Sequence, residues 1–335
     1  MLTTLRTGIA LAAIAIVAAG APQVLSEYRT SVATQILFAC IGAYSLWLMM
    51  RINLLSLGHA AFMGIGAYTT AILCVTHGWA FWATLPLAGL AAALAAVLFG
   101  AVTLRLQGIY FAMMSFVLLE MFQGGLRQLD PVTGGQSGIS GVPRPETIDV
   151  GTLHIDFNLT ENFYWLTLAL ALATLAFAVW LASSRVGLRL KLIASSEKLA
   201  ASAGVSVFSH RLAILGSSAF ILGLCGPLVA TFTRLASPSS YALGTSIDWL
   251  VYAAVGARFG TFGPALVAVV LVALTQIVFT QMGIYRVVLY GLILILAVLI
   301  RGCPNGAIAG AYRQLSQLGS GKRAPPPQDG TAKNP

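Results

Sequence analysis

The chain has 335 residues, of which 58% are apolar and only 9% charged. A soluble domain carries about 25% charged residues because its surface faces water, so most of the surface here faces something else. The net charge of +9 does not indicate nucleic-acid binding, since the basic residues flank apolar runs and form no patch with interleaved aromatics.

Charge-free stretches occupy 7–26, 30–50, 52–104, 162–184, 212–233 and 259–285. A helix of about 20 apolar residues crosses the hydrocarbon core, and 52–104 is long enough for two crossings. The chain therefore reads as all-α, a polytopic transmembrane helical bundle. The predicted spans are 7–24, 31–50, 59–76, 80–104, 109–124, 163–183, 211–235, 247–257, 263–281 and 285–301. Arg6, the apolar run after it and Ala18-Ala19-Gly20-Ala21 fit either a signal peptide or a retained first span. The retained span is adopted, and either reading leaves residue 30 outside.

Charge sets the orientation. The stretch 125–162 holds Arg127 and Arg144 against Asp130, Glu146, Asp149, Asp156 and Glu161, whereas 184–211 holds Arg185, Arg189, Lys191, Lys198 and Arg211 against Glu197 alone. Lys and Arg collect on the cytoplasmic side, which places 184–210 inside as a cytoplasmic loop and 125–162 outside. The tail carries Arg301, Arg313, Lys322, Arg323 and Lys333 against Asp329 and is expected inside as well. The crossings after residue 211 are then even in number, so the short segment 247–257 counts as one, a half-helix of the kind tolerated only inside protein or beside water. The expectation is about ten spans with both the N- and C-termini cytoplasmic. A membrane domain would cover 1–302 and a cytoplasmic tail 303–335, disordered around Pro325-Pro326-Pro327.

Enzyme chemistry is missing. His59, His77, His154 and His210 stand far apart, with no HExxH pair, GxSxG elbow or CxxC pair, and Gly321-Lys322 lacks the rest of a phosphate-binding loop. Cys40, Cys74, Cys225 and Cys303 lie in or beside apolar segments without metal-ligand spacing and read as small apolar residues. No catalytic or metal-binding residue is assigned, and any ATP-hydrolysing activity belongs to another chain.

Three features carry function. Glu120 is the one acid embedded in a long apolar helix, where an ionisable group marks a cavity or helix contact unless it reaches the outer headgroups. In the run Ser56 to Tyr68, Ala60 and Gly64 form a small-xxx-small pair for close helix approach. Gly58 and Gly66 are places where the helix could open and offer backbone groups to a solute. Tight packing alone explains the same residues, and both readings stand. A second glycine-rich break, Gly256 to Pro264, adjoins the short segment. The stretch 187–204 reads as one amphipathic helix with Leu188, Leu192, Leu199 and Ala203 on a stripe and Gly187 and Gly204 at its ends. Such a helix docks on a soluble partner or lies on the lipid surface.

These residues resemble the M-type permease subunit of branched-chain amino acid ABC importers, a family whose near relatives carry urea and short amides. The likeness runs from Ser56-Leu57-Gly58-His59-Ala60-Ala61-Phe62 and Gly64-Ile65-Gly66-Ala67-Tyr68 through Leu104 to Ala112 and the acid Glu120. It continues in Thr133-Gly134-Gly135-Gln136-Ser137-Gly138-Ile139, in Ser184-Arg185-Val186-Gly187 with Glu197 and Ala203-Gly204-Val205, and in Gly260-Thr261-Phe262-Gly263-Pro264. The sequence departs from the family pattern at Ala194, Ser195, Ser196 and Ala201, and again at Arg258-Phe259. The resemblance implies a bacterial inner-membrane permease subunit working with a second homologous permease, two cytoplasmic ATPases that bind the ATP, and a periplasmic solute-binding protein. It implies that the solute passes near Gly58, His59, Gly64, Gly66 and Glu120, and that Leu188, Leu192, Glu197, Leu199 and Gly204 couple to the ATPase. A urea or short-amide permease is the alternative within the family, and an ATPase-independent channel or secondary carrier the alternative outside it.

Overall fold

A computed structural model of the chain describes residues 26–278, apart from 107, 151 and 152, together with Gly291. The predicted first span 7–24, the rest of 285–301 and the tail 303–335 lie outside the described residues.

The apolar runs become helices. These are α1 (Glu27–Met50), α2 (His59–Ala71, continued by a π-helical turn Ile72–Thr76), α3 (Phe81–Thr103) and α4 (Ile109–Gln128). After the short α5 (Asp130–Thr133) and three strands come α6 (Thr160–Ser183), α7 (Arg185–Ser195), α8 (Glu197–Ser202) and α9 (Val207–Thr233). The chain goes on through a 3-10 turn at Pro238–Tyr241, then α10 (Leu243–Gly256), a 3-10 turn at Ala257–Phe262 and α11 (Gly263–Ala273). Among the described residues, seven helical segments are long and apolar enough to cross a membrane.

The centre of the bundle is α2, packed on α3, α4 and α9. Helices in lipid gain little from burying apolar area, because acyl chains are as apolar as leucine, and close backbone contact drives association instead. The sequence supplies that contact. A Cβ on Gly66 would overlap the Gly223 carbonyl, and one on Gly226 would overlap the Met63 carbonyl. Gly42 of α1 likewise makes room for the Trp249 indole of α10.

The outward faces of α3 (Leu87, Leu90, Leu94, Leu98) and α11 (Leu266, Val269, Val270) are aliphatic, as lipid contact requires. Exposed Trp165 and Trp180 stand near opposite ends of α6, about 22 Å apart along its axis, a spacing suited to the two interfaces where tryptophan concentrates.

The helix α11 runs back along α1. Tyr44 Oη donates to Thr261 O at 3.1 Å near its start, and Gln276 Nε2 donates to Gln35 Oε1 at 2.8 Å near its end. Between α10 and α11 a Cβ on Gly263 would overlap the Gly256 carbonyl, so the break anticipated at Gly256–Pro264 is a tight turn between two helices. The short segment 247–257 is the body of α10, 14 residues long, or about 21 Å, less than the thickness of the hydrocarbon core.

Two expectations are adjusted. The described residues are mostly helical, with two short strand pairs added in the loops: β1 (Ile139–Ser140) pairs antiparallel with β4 (Leu235–Ala236), and β2 (Ile148–Val150) with β3 (Leu153–Ile155). Strands this short carry no periodic signal, and the first pair forms because the 129–140 segment folds back onto the end of α9. Gly134 at φ +70° and Gly138 at φ +74° make those reversals, which only glycine adopts without strain. Thr133 Oγ1 fastens the loop by bonding to Leu126 O at 2.5 Å and Leu129 O at 2.8 Å. Arg144 donates to Asn158 O, and its guanidinium is held below the usual arginine range by burial and then by Arg234 nearby.

The second correction concerns 187–204, which is two helices broken at Ser196. Ser184 Oγ accepts from Gly187 N to cap α7, and Ser196 Oγ accepts from Leu199 N to cap α8. A serine hydroxyl competes for backbone donors and favours a helix start over a helix interior, so Ser196 stops one helix and begins the next. Gly187 therefore lies inside α7, not at its boundary, while Gly204 takes φ +76° just after α8.

Candidate functional site

The signature run opens α2 in the middle of the bundle, not at its edge. His59 Nε2 lies 3.3 Å from Ser218 Oγ, and Ser45 Oγ donates to Ser218 O at 3.0 Å. Ser218 is about 16 Å along α9 from Val207. The helix start at Gly58 therefore meets neighbouring helices partway along their length. A helix start buried there needs partners for its orphan N–H groups, and three serines supply them. Leu57 N donates to Ser115 Oγ at 2.9 Å, Gly58 N to Ser56 Oγ at 3.4 Å and Ala60 N to Ser246 Oγ at 2.9 Å. Sequence reasoning missed Ser115, Ser218 and Ser246, because nothing in their local spacing links them to residue 59.

Each sequence-predicted solute residue can now be placed. Gly58 lies against the Ser115 carbonyl, Gly64 against the rings of Phe122 and Tyr241, and Gly66 against Gly223. His59 is fully buried, and its Nδ1 has no hydrogen-bond partner among the described residues. These four form one buried seam between α2, α4 and α9, in the tight-packing arrangement, and α2 continues unbroken through Gly64 and Gly66. Glu120 stands apart from them on the exposed side of α4, with no hydrogen bond or ion pair to any described residue. An acid at the centre of a spanning helix costs about 2.5–3.5 kcal/mol to insert when lipid surrounds it.

A cavity of about 300 Å³ lies among α1, α2, α9, α10 and α11. Phe38, Met63, Val229 and Val272 form apolar walls, and Gln35, Ser240, Thr245 and Asp248 supply polar groups. Among the described residues no group of three metal-ligating side chains occurs.

On the opposite side of Ser184, α7 and α8 bury Gly187, Leu190, Ile193 and Ala200. They leave Leu188 at 63% and Leu199 at 62% exposure, with Arg185, Arg189, Lys191 and Lys198 exposed around them. Leu192 is half-buried and Ala203 exposed. Glu197 accepts two hydrogen bonds from Arg211, a side chain left only 5% exposed at the start of α9.

The amino-acid sequence that builds this bundle and its exposed basic helix pair matches a known family of proteins. The family model described as branched-chain amino acid transport system / permease component aligns with residues 28–298. The chain belongs to that permease family. Among its relatives is a high-affinity branched-chain amino acid transport system permease protein LivM of Salmonella typhimurium strain LT2. It is 29% identical over 289 residues, which take in 81% of this chain and 68% of the relative. The protein of the same name from Escherichia coli strain K12 is 29% identical over 294 residues with the same coverage. No solved structure matches the chain. Family membership and several apolar helices together make this permease a multi-pass membrane protein of the transport class. The match runs from α1 through α11, so the seam, the cavity, Glu120 and the α7–α8 pair all lie within the shared part of the permease.

Proposed function

We propose that the chain is a pore-forming permease subunit of an ATP-driven importer that carries branched-chain amino acids across the bacterial inner membrane. The observation that carries this reading is the family match over 28–298, and both relatives bear a branched-chain amino acid transport name. Geometry adds support where the sequence reading expected function. The α7–α8 pair offers exposed Leu188 and Leu199 amid four basic residues, which suits a groove on a soluble partner. Leu188, Leu192, Glu197, Leu199 and Gly204 would transmit closure of two cytoplasmic ATPase subunits to α9 through the Glu197–Arg211 pair. A second, homologous permease would complete the pore, and a periplasmic solute-binding protein would deliver the solute to the 125–162 side. This chain would bind no cofactor, hydrolyse no ATP and perform no catalysis of its own.

Gentle detergent extraction of the tagged chain, with mass spectrometry of the proteins that come with it, tests the reading. Two further results are expected: an ATPase and a second permease in the purified complex, and ATP-dependent leucine uptake once that complex and its binding protein are placed in liposomes. A chain that purifies alone and conducts solute without ATP would overturn it in favour of a channel.

A further inference from the structure

The two faces of α4 differ in character. One, with Phe111, Ser115, Leu119, Gln123 and Leu126, is buried against α2 and the Pro238–Tyr241 turn. There Gln123 Nε2 donates to Tyr241 O at 3.1 Å. At roughly 100° per residue, the opposite face carries Met113, Val117, Glu120, Met121 and Gly124. The first four are exposed, and nothing lies within 4 Å of where a Cβ on Gly124 would be. Glu120 lies near the middle of α4, about 12 Å along the axis from its last residue, Gln128.

The exposed strips of α3 and α11 carry only aliphatic side chains along their middles. The α4 strip carries an ionisable group flanked by flexible thioethers. An ionisable side chain at that depth faces a water-filled space or a protein partner, and methionine suits a surface that must adapt to varied shapes.

We propose that this face of α4 lines the water-filled solute path and that the Glu120 carboxylate receives the ammonium group of the passing amino acid. The proposal rests on the reading of the chain as an amino-acid permease and names the residue that recognises the solute's charge. A single carboxylate favours a solute bearing an ammonium over an anion or an uncharged amide. Met113, Val117 and Met121 give its branched side chain a surface that moulds to different shapes. One charge-assisted contact in water is also weak enough to release the solute, as a transport path requires.

The test uses the assembled importer, with its binding protein and ATPases, in liposomes. Glu120→Gln is expected to lower leucine uptake at least tenfold and Glu120→Asp to retain a larger share, with both variants still purifying with their partners. In a chain whose own cysteines are replaced, Val117→Cys and Met113→Cys are expected to react with a positively charged methanethiosulfonate at least tenfold faster than Leu94→Cys and Leu98→Cys of α3. Adding Glu120→Gln is expected to slow the Val117→Cys reaction, because the carboxylate attracts the cationic reagent. Full uptake by Glu120→Gln, or Val117→Cys reacting no faster than Leu98→Cys, would overturn the proposal and leave the face to lipid or to a dry contact. If Glu120→Gln fails to assemble, the labelling pattern decides. An unaltered importer that takes up no leucine would instead overturn the amino-acid reading, and the labelling would still show whether the face is wet.

Discussion

Glu197 of α8 grips Arg211 of α9 with both carboxylate oxygens, Oε2 accepting from Nη1 at 3.2 Å and Oε1 from Nη2. This fork ties the short helix to the long one that runs through the bundle. Arg211 is buried and Glu197 keeps a third of its side chain in water, so removing the acid leaves a guanidinium largely desolvated. The cost of breaking a fully buried pair is about 3–5 kcal/mol, and partial solvation of Glu197 brings the expected cost of Glu197→Ala nearer to ~1–3 kcal/mol. Thermal unfolding of the purified chain should shift downward by several degrees. The double variant Glu197→Arg with Arg211→Glu should recover part of the loss. Equal melting of Glu197→Ala and the parent chain would mean that the pair contributes nothing to holding α8.

The contact between α2 and α9 has no slack. A Cβ on Gly226 would strike the Met63 carbonyl and the Ala67 amide, both of them backbone groups that cannot rotate away. Gly226→Val therefore has to separate two helix backbones along the seam that holds His59. Overpacking of this kind costs about 1–3 kcal/mol or more. The expected result is less folded protein in detergent by size-exclusion chromatography. Gly124→Ala is the matched control, because nothing stands within 4 Å of that position and alanine favours the helix.

Most of the helices were legible because an apolar run of spanning length leaves the chain few alternatives in lipid. The predicted 31–50 and 163–183 lie within α1 and α6. The small-xxx-small pair of Ala60 and Gly64 lies in α2, but the backbone approaches there are made by Gly58 and Gly66, while Gly64 faces the rings of Phe122 and Tyr241. What could not be read was which residues distant in sequence meet there. Ser115, Ser218 and Ser246 are unremarkable hydroxyls on three other helices, and only folding brings them to the start of α2. The break at Ser196 was hidden for a different reason. A leucine stripe spaced 4 and 7 looks continuous, yet one serine that prefers a cap splits it. Glu120 could be seen as an embedded acid, but the side of α4 it occupies depends on which residues pack against α2.

Ser246→Ala tests the start of α2. The Ser246 hydroxyl, itself buried, accepts from Ala60 N at 2.9 Å, and alanine leaves that donor unpaired at a site water does not reach. An unsatisfied buried donor costs about 1–3 kcal/mol. Hydrogen exchange at the amides of Ala60 and Ala61 should rise in Ser246→Ala while exchange within α6 stays constant. Ser246→Thr keeps the hydroxyl and should protect the amide. Unchanged exchange in Ser246→Ala would mean that Ala60 N finds another partner.

The exposed leucines of the α7–α8 pair separate docking from lipid contact. Leu188 and Leu199 project away from the residues that hold these helices in place, namely Gly187, Leu190, Ile193 and Ala200. Changing both to Asp should therefore leave the fold and its melting temperature nearly intact. A docking surface loses its apolar anchors under that change, and a buried anchor is typically worth about 2 kcal/mol or more, a factor of roughly thirty in affinity for each residue. Leu188→Asp with Leu199→Asp is expected to abolish co-purification of the ATPase and stop uptake while the chain still inserts in the membrane. Leu192→Asp is expected to act in the same direction with some loss of stability, since that side chain is half-buried. A helix pair that merely lies on lipid gives a different pattern. The charged variants would then keep the ATPase and transport at nearly the parent rate, and the coupling role of these residues would have to be abandoned.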